Sequence, residues 1–347
     1  MNFYTKQHQF YCGVDLHART MHVCILNQAG EVLVHRGIAA TPNAFVRLVK
    51  PYQKDLVVAA ECMFTWYWLA DFCLEQKIQF VLGHALYMKV IHGTKTKNDK
   101  IDSDKIARLL RGGMLPQAYV YPAPMRSTRD LLRRRMFLVH KRAELLAHIQ
   151  NTNSQYNLPP FGKKLINPAN RVGVAERFAD QGARKSVEVD LAMLEQFDPV
   201  IRDVELYLVK HAKVNDPQMY FRLQSVKGVG KVLALVLMYE INDINRFPRV
   251  QDFVSYARLV KCEKQSAGKS YGHSGKKIGN AHLKWAFSEA ACLFMRESDR
   301  AKKFVAKREK KFGKGKAMAI LSAKLGRSVY QMLRKGDVFD EKVFFAN

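Results

Sequence analysis

Short apolar runs and helical spacings alternate along the N-terminal third of the chain. Residues 10–16, 21–27 and 31–37 are runs of strand length, and the QAG before the third run is a turn signal, which predicts three consecutive strands in meander order. The run DLVVAAE at 55–61 has the continuous apolar character of a buried strand and ends in a carboxylate. The order β-β-β-α-β-α-β-α follows, which predicts a mixed α/β layer. The remaining predicted elements are a strand at 78–83 and helices at 41–51, 64–76 and 99–113.

The rest of the chain has mostly helical spacing. The proline-containing YPAP at 121–124 ends the first region, and long helices are predicted over 125–157 and 185–213. A polar, glycine-containing stretch joins these two helices, which predicts a helical hairpin or coiled-coil spacer. Beyond it, a GVG turn within 223–241 and the Gly-, Ser- and Lys-rich stretch 261–280, predicted as a loop, separate further helices. The predicted domains are 1–122, 123–215 and 216–347, and the last helices are predicted at 250–259, 281–296 and 315–334.

The balance of charged residues says more about the partners of the chain than its overall composition does. Lys and Arg total 57 against 31 Asp and Glu, a formal charge of +26, while 48% of residues are hydrophobic. Such an excess of cations favours a polyanionic partner, and nucleic acid, DNA or RNA, is the leading one. An anionic membrane surface is the alternative, but no apolar run approaches the roughly 20 residues needed to span a bilayer. We also find no signal peptide and no CxxC pair, so we expect a cytoplasmic, nucleoid-associated protein without a zinc ribbon.

Carboxylates stand at positions that a mixed sheet would bring together. Asp15 closes the first predicted strand and Glu61 the fourth, and Asp99 and Asp102 share a helix face because they are three residues apart. Oxygen ligands of this kind suit Mg²⁺ or Mn²⁺, and paired metal ions suit phosphodiester chemistry. The alternative is that acidic residues at a helix start only stabilise the helix dipole. His17 could assist at this site, although an ordinary histidine at a strand end is the simpler interpretation.

Basic residues in the second half form candidate nucleic-acid contacts. The glycines of the GVG turn would let backbone amides approach phosphate at a helix start, with a plain interhelical turn as the alternative. The basic helix over 125–157 would bind nucleic acid or a neighbouring subunit, with a solvated helix face as the alternative. The predicted contacts are Arg126, Arg129, Arg133, Arg134, Lys227, Gly228, Gly230, Lys231, Lys264, Lys269, Lys276 and Lys277.

The motifs YCGVDLH, VVAAE and KNDKID resemble the acidic motifs of an RNase H-like, RuvC-type nuclease domain. Their arrangement is similar to that of the DEDD insertion-sequence transposases, a family that includes the pilin-gene invertase and the bridge-RNA-guided recombinases. QSAGKSYGHSGKKIGN at 265–280 resembles the family's C-terminal signature, with Ser266 at the position of the nucleophile. The chain departs from the signature at Ala267, where glycine is common. Ser270 and Ser274 in the same stretch are the alternative nucleophiles.

The resemblance implies a fold, a reaction and partners. The fold would be α/β plus α: an RNase H-like mixed sheet, a helical spacer, and a mostly helical C-terminal domain with a helix-hairpin-helix. Asp15, Glu61, Asp99 and Asp102 would hold the metal, and Ser266 would form a covalent phosphoserine link to DNA. A homo-oligomer, dimers pairing into a tetramer, and a noncoding guide RNA are implied as well. Two other functions stay open at this point: a junction-cutting nuclease that uses water, and a non-catalytic nucleic-acid binder.

Overall fold

The computed structural model describes residues 2–91, 98–274 and 278–346; for residues 90, 262–265, 273 and 274 it describes the backbone only. The chain divides into two compact units, Met1–Ala123 and Pro124–Asn347. The division of the second unit into separate spacer and C-terminal domains stays a prediction.

A five-stranded mixed sheet forms the centre of the first unit, with strand order β3-β2-β1-β4-β5. The first three strands are antiparallel neighbours, which confirms the predicted meander. The fourth strand lies parallel to the first on its other side, and the fifth continues in parallel. The strands are β1 (Phe10–Leu16), β2 (Thr20–Asn27), β3 (Val32–Ala39), β4 (Leu56–Glu61) and β5 (Gln79–Gly83).

Helices cover both faces of this sheet, which explains the continuous apolar runs of β1 and β4. The helices are α1 (Pro42–Val49), α2 (Tyr67–Glu75), α3 (Ala85–Ile91) and α4 (Asp99–Arg111). Phe45 of α1 and Leu69 of α2 join the core on one face, and Ile106 and Leu110 of α4 join the core on the other. The helix α3 was not predicted from the sequence.

The contact between α4 and β1 is close because it passes over a glycine. A Cβ atom built on Gly13 would lie 2.3 Å from the carbonyl oxygen of Ser103 and 2.4 Å from the amide nitrogen of Ala107. No other residue type leaves room for the helix backbone at this distance. The helix begins after Asn98, whose side chain accepts a hydrogen bond from the Lys100 amide at 2.7 Å. The first turn of α4 therefore lies beside the end of β1.

The second unit begins with two long antiparallel helices, α5 (Ala123–Gln155) and α6 (Gln181–Asn215), as the helical spacing predicted. Ile149, Val187 and Leu194 share a small buried core. The antiparallel direction follows from side-chain pairs in which residue numbers rise along α5 and fall along α6. The pairs are Arg135 with Glu205, Arg142 with Asp198, and His148 with Asp190. The coiled-coil character of this pair stays a prediction.

The remaining helices pack around one large apolar core that includes the buried helix Lys231–Ile241. Two of them, Asp299–Phe312 and Glu341–Ala346, were not predicted. In the ranges that the structure describes, no helix has both the length and the apolar character needed to cross a bilayer. The helices are α7 (Pro217–Gln224), α8 (Lys231–Ile241), α9 (Val250–Tyr256), α10 (Ala281–Glu297), α11 (Asp299–Phe312), α12 (Lys314–Lys335) and α13 (Glu341–Ala346).

The stretch 261–280 corrects the sequence prediction of a loop. It contains a two-stranded antiparallel hairpin, formed by β6 (Cys262–Ser266) and β7 (Lys269–Ser274). Two residues join the strands, and both have positive φ, +48° at Ala267 and +74° at Gly268. This backbone conformation matches the twist of a tight hairpin. The Gly-, Ser- and Lys-rich composition concealed the strands.

Candidate active site

Two of the predicted carboxylates meet at the sheet edge where β1 ends. Asp15 on β1, His17 two residues later, and Asp99 at the start of α4 each offer a ligand atom, and these atoms lie within 4.8 Å of one another. The His17 Nε2 atom is 3.4 Å from Asp15 Oδ2 and 3.5 Å from Asp99 Oδ1. The two carboxylates differ in exposure: the Asp15 side chain is 17% exposed, and the Asp99 side chain is 61% exposed. Such a group of oxygen and nitrogen donors fits a divalent cation.

The other two predicted carboxylates lie beside this group. Val14 of β1 is paired with Ala60 of β4, so Asp15 and Glu61 each follow that pair by one residue at the ends of neighbouring strands. Asp102 forms an ion pair with Lys105 at 3.2 Å, which holds its carboxylate along the helix. Among the described residues, the group within 4.8 Å does not include Glu61 or Asp102.

Hydrogen bonds from the sheet hold the first turn of α4 in place. His35 of β3 donates through Nε2 to the Lys100 carbonyl at 2.8 Å, and Ser103 Oγ donates to the same carbonyl at 3.0 Å. The His22 imidazole lies 3.3 Å from Ser103 Oγ, and burial, with the nearby His35, lowers its pKa. A neutral His22 adds no positive charge beside the carboxylates.

Burial raises the pKa of Asp15, and the charges of Asp99 and Asp102 raise it further, although His17 opposes them. The folded state therefore holds the Asp15 proton more tightly than the unfolded state does. As a result, the contribution of Asp15 to the unfolding free energy falls as the pH rises above 3.8, the ordinary pKa of an aspartate. Without divalent ions, we expect Asp15→Asn to be more stable than the wild type at pH 7 and to lose this pH dependence.

Thermal unfolding at pH 4 to 8, with and without Mn²⁺, checks this expectation for Asp15. The wild type should gain stability on adding the ion, whereas Asp15→Asn should not, because the ion binds only the folded state through ionised ligands. Glu31→Gln is the matched control, since Glu31 is an exposed carboxylate that pairs with Asn27 away from the site. A wild type more stable than Asp15→Asn without metal would contradict the argument.

The serine hairpin, which is the hairpin of β6 and β7, places Ser266 beside Lys269. These two residues flank the Ala267–Gly268 turn as a directly opposed pair, so their side chains share one face of the hairpin. Tyr271, two residues further along β7, lies on the same face and is 69% exposed. Ser270 is paired with Gln265, on the opposite face. The register therefore places Ser270, one of the two alternative nucleophiles, on the face opposite to Ser266. For Ser274, the other alternative, the structure describes the backbone only.

Ala267 holds a backbone conformation that an L-residue adopts at a cost. Its φ of +48° lies in the left-handed region, which costs non-glycine residues about 1–2 kcal/mol. We expect Ala267→Gly to stabilise the hairpin by about 0.5–1 kcal/mol, because relief of this strain outweighs the greater chain entropy of glycine. Hydrogen exchange should show slower exchange of the β6 and β7 amides. Ala267→Val is the opposing variant, and its β6 and β7 amides should exchange faster than those of the wild type. Equal protection of these amides in the glycine and valine variants would contradict the role of backbone strain at residue 267.

Three of the four arginines predicted to contact nucleic acid from α5 are partly or fully buried. Glu240 of α8 is 1% exposed and accepts hydrogen bonds from Arg133 Nε at 2.7 Å and from Arg129 Nε at 3.0 Å. Arg126 is also buried, whereas Arg134 is exposed. No sequence pattern indicated this arrangement, because Glu240 is more than 100 residues from both arginines in the chain. A nucleic-acid role for the four arginines stays a prediction.

The GVG turn has a packing role. A Cβ atom on Gly228 would lie 2.4 Å from the Phe294 amide nitrogen, so glycine allows the turn to pack on α10. The Gly228 amide donates to Glu297 at 3.2 Å, and Lys227 pairs with Glu341. Gly230 of the turn and the flanking Lys227 and Lys231 are exposed.

The other predicted contacts lie on the serine hairpin or just after it. Lys269 is exposed, and of Lys264 the structure describes the backbone alone, within β6. Lys276 and Lys277 lie outside the described residues.

Comparison with known proteins covers both units. A family model for DEDD transposases of the IS110 type matches residues 12–157, which contain the four acidic positions. A second model, described as the transposase IS116/IS110/IS902 family, matches residues 221–306, which contain the serine hairpin. The mixed sheet and the helices around it fit an RNase H-like DEDD transposase domain.

Individual relatives agree with these matches. The transposase for insertion sequence element IS1111A of Coxiella burnetii is 24% identical over 292 residues, which are 82% of this chain and 77% of that protein. The y4qE protein of Sinorhizobium fredii is 26% identical over 206 residues, 58% of this chain and 49% of that protein. A protein of insertion element IS110 from Streptomyces coelicolor is 30% identical over 125 residues, 35% of this chain and 30% of that protein.

The acidic sheet edge and the two family matches define the class of this protein, a DNA transposase. More narrowly, the chain belongs to the IS110 family of insertion-sequence transposases, enzymes whose substrate is DNA.

Proposed function

We propose that this transposase cuts and rejoins DNA strands through a covalent link to Ser266, in a reaction that also needs a divalent cation, Mg²⁺ or Mn²⁺. The observation that carries the metal site is the meeting of Asp15 and Asp99 where α4 crosses the end of β1. Glu61 and Asp102 stand next to them and would complete the ligand set. A bound divalent ion would polarise the phosphodiester and favour deprotonation of the attacking hydroxyl.

The serine hairpin supplies the nucleophile in this proposal. Ser266 Oγ attacks the phosphorus, forms an ester bond and gives up its proton, while the bond to one deoxyribose oxygen breaks and that oxygen takes a proton. Lys269, on the same face, offsets negative charge that develops on the phosphate. A second deoxyribose hydroxyl then attacks the phosphoserine and releases the serine hydroxyl. One ester bond replaces another at each step, so the strands are rejoined without ATP.

The partners are part of the same proposal. The formal charge of +26 suits binding of both DNA and a structured noncoding guide RNA. The IS110 family membership further supports a homo-oligomer, dimers pairing into a tetramer, that acts on two DNA duplexes.

A covalent adduct is the direct test of the proposal. The full chain is incubated with Mg²⁺ or Mn²⁺, DNA carrying the element ends, and coexpressed RNA, and a denaturing gel is examined for a protein–DNA band. We expect a band that is lost in Ser266→Ala and retained in Ser270→Ala, the matched control on the opposite face of the hairpin. Cleavage without any adduct would identify a nuclease that uses water, and an adduct that survives Ser266→Ala would place the nucleophile elsewhere.

A further inference from the structure

His17 occupies a fixed position between the two carboxylates of the acidic site. Its backbone amide donates to the Thr20 carbonyl at 3.0 Å, which closes the tight connection between β1 and β2. Its Nε2 atom lies almost equally far from the two carboxylates, 3.4 Å from Asp15 and 3.5 Å from Asp99. The imidazole is 51% exposed, so it is open to an ion from solvent.

These distances differ from those of the other histidine–carboxylate pairs among the side chains that the structure describes. His8 Nδ1 lies 2.6 Å from Asp55, and His148 Nδ1 lies 2.5 Å from Asp190, both at the length of a short hydrogen bond. The His17 nitrogen is more than half an ångström further from each of its carboxylates than these. His17 is therefore positioned between two acidic oxygens without forming a short bond to either one.

The spacing matches that of donors that share one metal ion. Ligand atoms held about 2.1 Å from an ion lie about 3.0 Å apart at right angles and about 3.4 Å apart at the tetrahedral angle. The two His17 distances, 3.4 and 3.5 Å, lie at and just above the tetrahedral value. Contraction of these distances, in a group whose ligand atoms already lie within 4.8 Å of one another, would let one ion bind all three donors.

We propose that His17 is a metal ligand, so that Asp15, His17 and Asp99 form a site with two oxygen donors and one nitrogen donor that binds Mn²⁺ more tightly than Mg²⁺. The proposal rests on the proposed function, since it concerns the same metal site. Mg²⁺ prefers oxygen ligands and keeps its waters, whereas an imidazole nitrogen is a better ligand for first-row transition ions. The nitrogen donor therefore determines which ion the site prefers.

Mn²⁺ alone is the probe, used with the full chain and without DNA. Titration followed by electron paramagnetic resonance gives the affinity, and electron spin echo modulation detects a directly bound imidazole nitrogen. We expect nitrogen coupling in the wild type and its loss in His17→Gln, with Mn²⁺ affinity reduced at least about tenfold. Mg²⁺ affinity, measured by competition, should change less than threefold, on the order of half a kcal/mol.

His22→Gln is the matched control, because His22 is paired with Asp15 across β1 and β2 and is the neighbouring source of an imidazole nitrogen. Coupling retained in His22→Gln supports the assignment to His17. Coupling that survives in His17→Gln, or Mn²⁺ bound without nitrogen coupling, would overturn the role of His17 and leave the proposed function intact. A wild-type chain that binds neither Mn²⁺ nor Mg²⁺ would overturn both.

Discussion

Replacing Gly13 with alanine is expected to destabilise the first unit by about 3 kcal/mol and to weaken its divalent-ion site. The added Cβ would lie 2.3 Å from the Ser103 carbonyl oxygen, and backbone atoms of a helix cannot move aside as a side chain can. The helix α4 must then shift away from β1. Because Asp99 is in the first turn of α4 and Asp15 is on β1, the same shift separates the two carboxylates.

Urea unfolding followed by tryptophan fluorescence measures this loss of stability, since Trp66 and Trp68, two of the three tryptophans, are in the first unit. Mn²⁺ titration of the folded variant measures the site. Gly37→Ala is the matched control, because a Cβ atom on this β3 glycine meets nothing closer than His22 at 3.6 Å. We expect the control to stay within about 0.5 kcal/mol of the wild type. Equal losses in the two variants would show that α4 does not depend on the glycine.

The strands and the acidic positions on them could be predicted because they depend on local patterns. Continuous apolar runs mark β1 and β4, since both faces of these strands are buried, and Asp15 and Glu61 end those runs. The position of His17 between Asp15 and Asp99 could not be predicted in the same way. It follows from where α4 crosses the sheet, and the reason for that crossing is the space above Gly13. A glycine in the middle of an apolar strand was the available signal, because such a glycine often marks a close backbone approach.

The residues of the second unit show the limits of charge patterns. The nucleic-acid role of the basic residues of α5 stays a prediction, and a helix pattern could not reveal that two of them pair with a residue as distant in sequence as Glu240. The serine hairpin was missed for a different reason. Its strands lack the β-branched residues that signal a strand, and alanine rarely holds the positive φ found at Ala267. Composition therefore indicated a loop where the backbone forms a tight turn.

Replacing Glu240 with glutamine is expected to destabilise the second unit by about 3–5 kcal/mol, the usual cost of breaking a buried ion pair. Its carboxylate accepts from Arg129, Arg133 and Asn280, the last at 2.7 Å. The substitution removes the negative charge that pairs with Arg129, whose side chain is 12% exposed. Asn280 also caps α10, the helix that follows the serine hairpin, by accepting from the Leu283 amide at 3.1 Å. Loss of the charge should therefore loosen the start of α10 as well.

The pH dependence separates the lost ion pair from a mere change in packing. Burial alone would raise the pKa of Glu240, but the hydrogen bond from Arg133 and the charges of both arginines outweigh it, and the pKa is lowered. A lowered folded-state pKa means that the stability is present above the ordinary value of 4.5 and is lost as pH falls through the folded value. The difference in unfolding free energy between wild type and Glu240→Gln should accordingly shrink below about pH 4.5. Glu205→Gln is the matched control, since Glu205 is 32% exposed and pairs with Arg135 of α5, the helix that also carries Arg129 and Arg133. We expect this control to lose about 1 kcal/mol or less. A difference for Glu240→Gln that is constant from pH 3 to 7 would show that packing, and not the ion pair, is responsible.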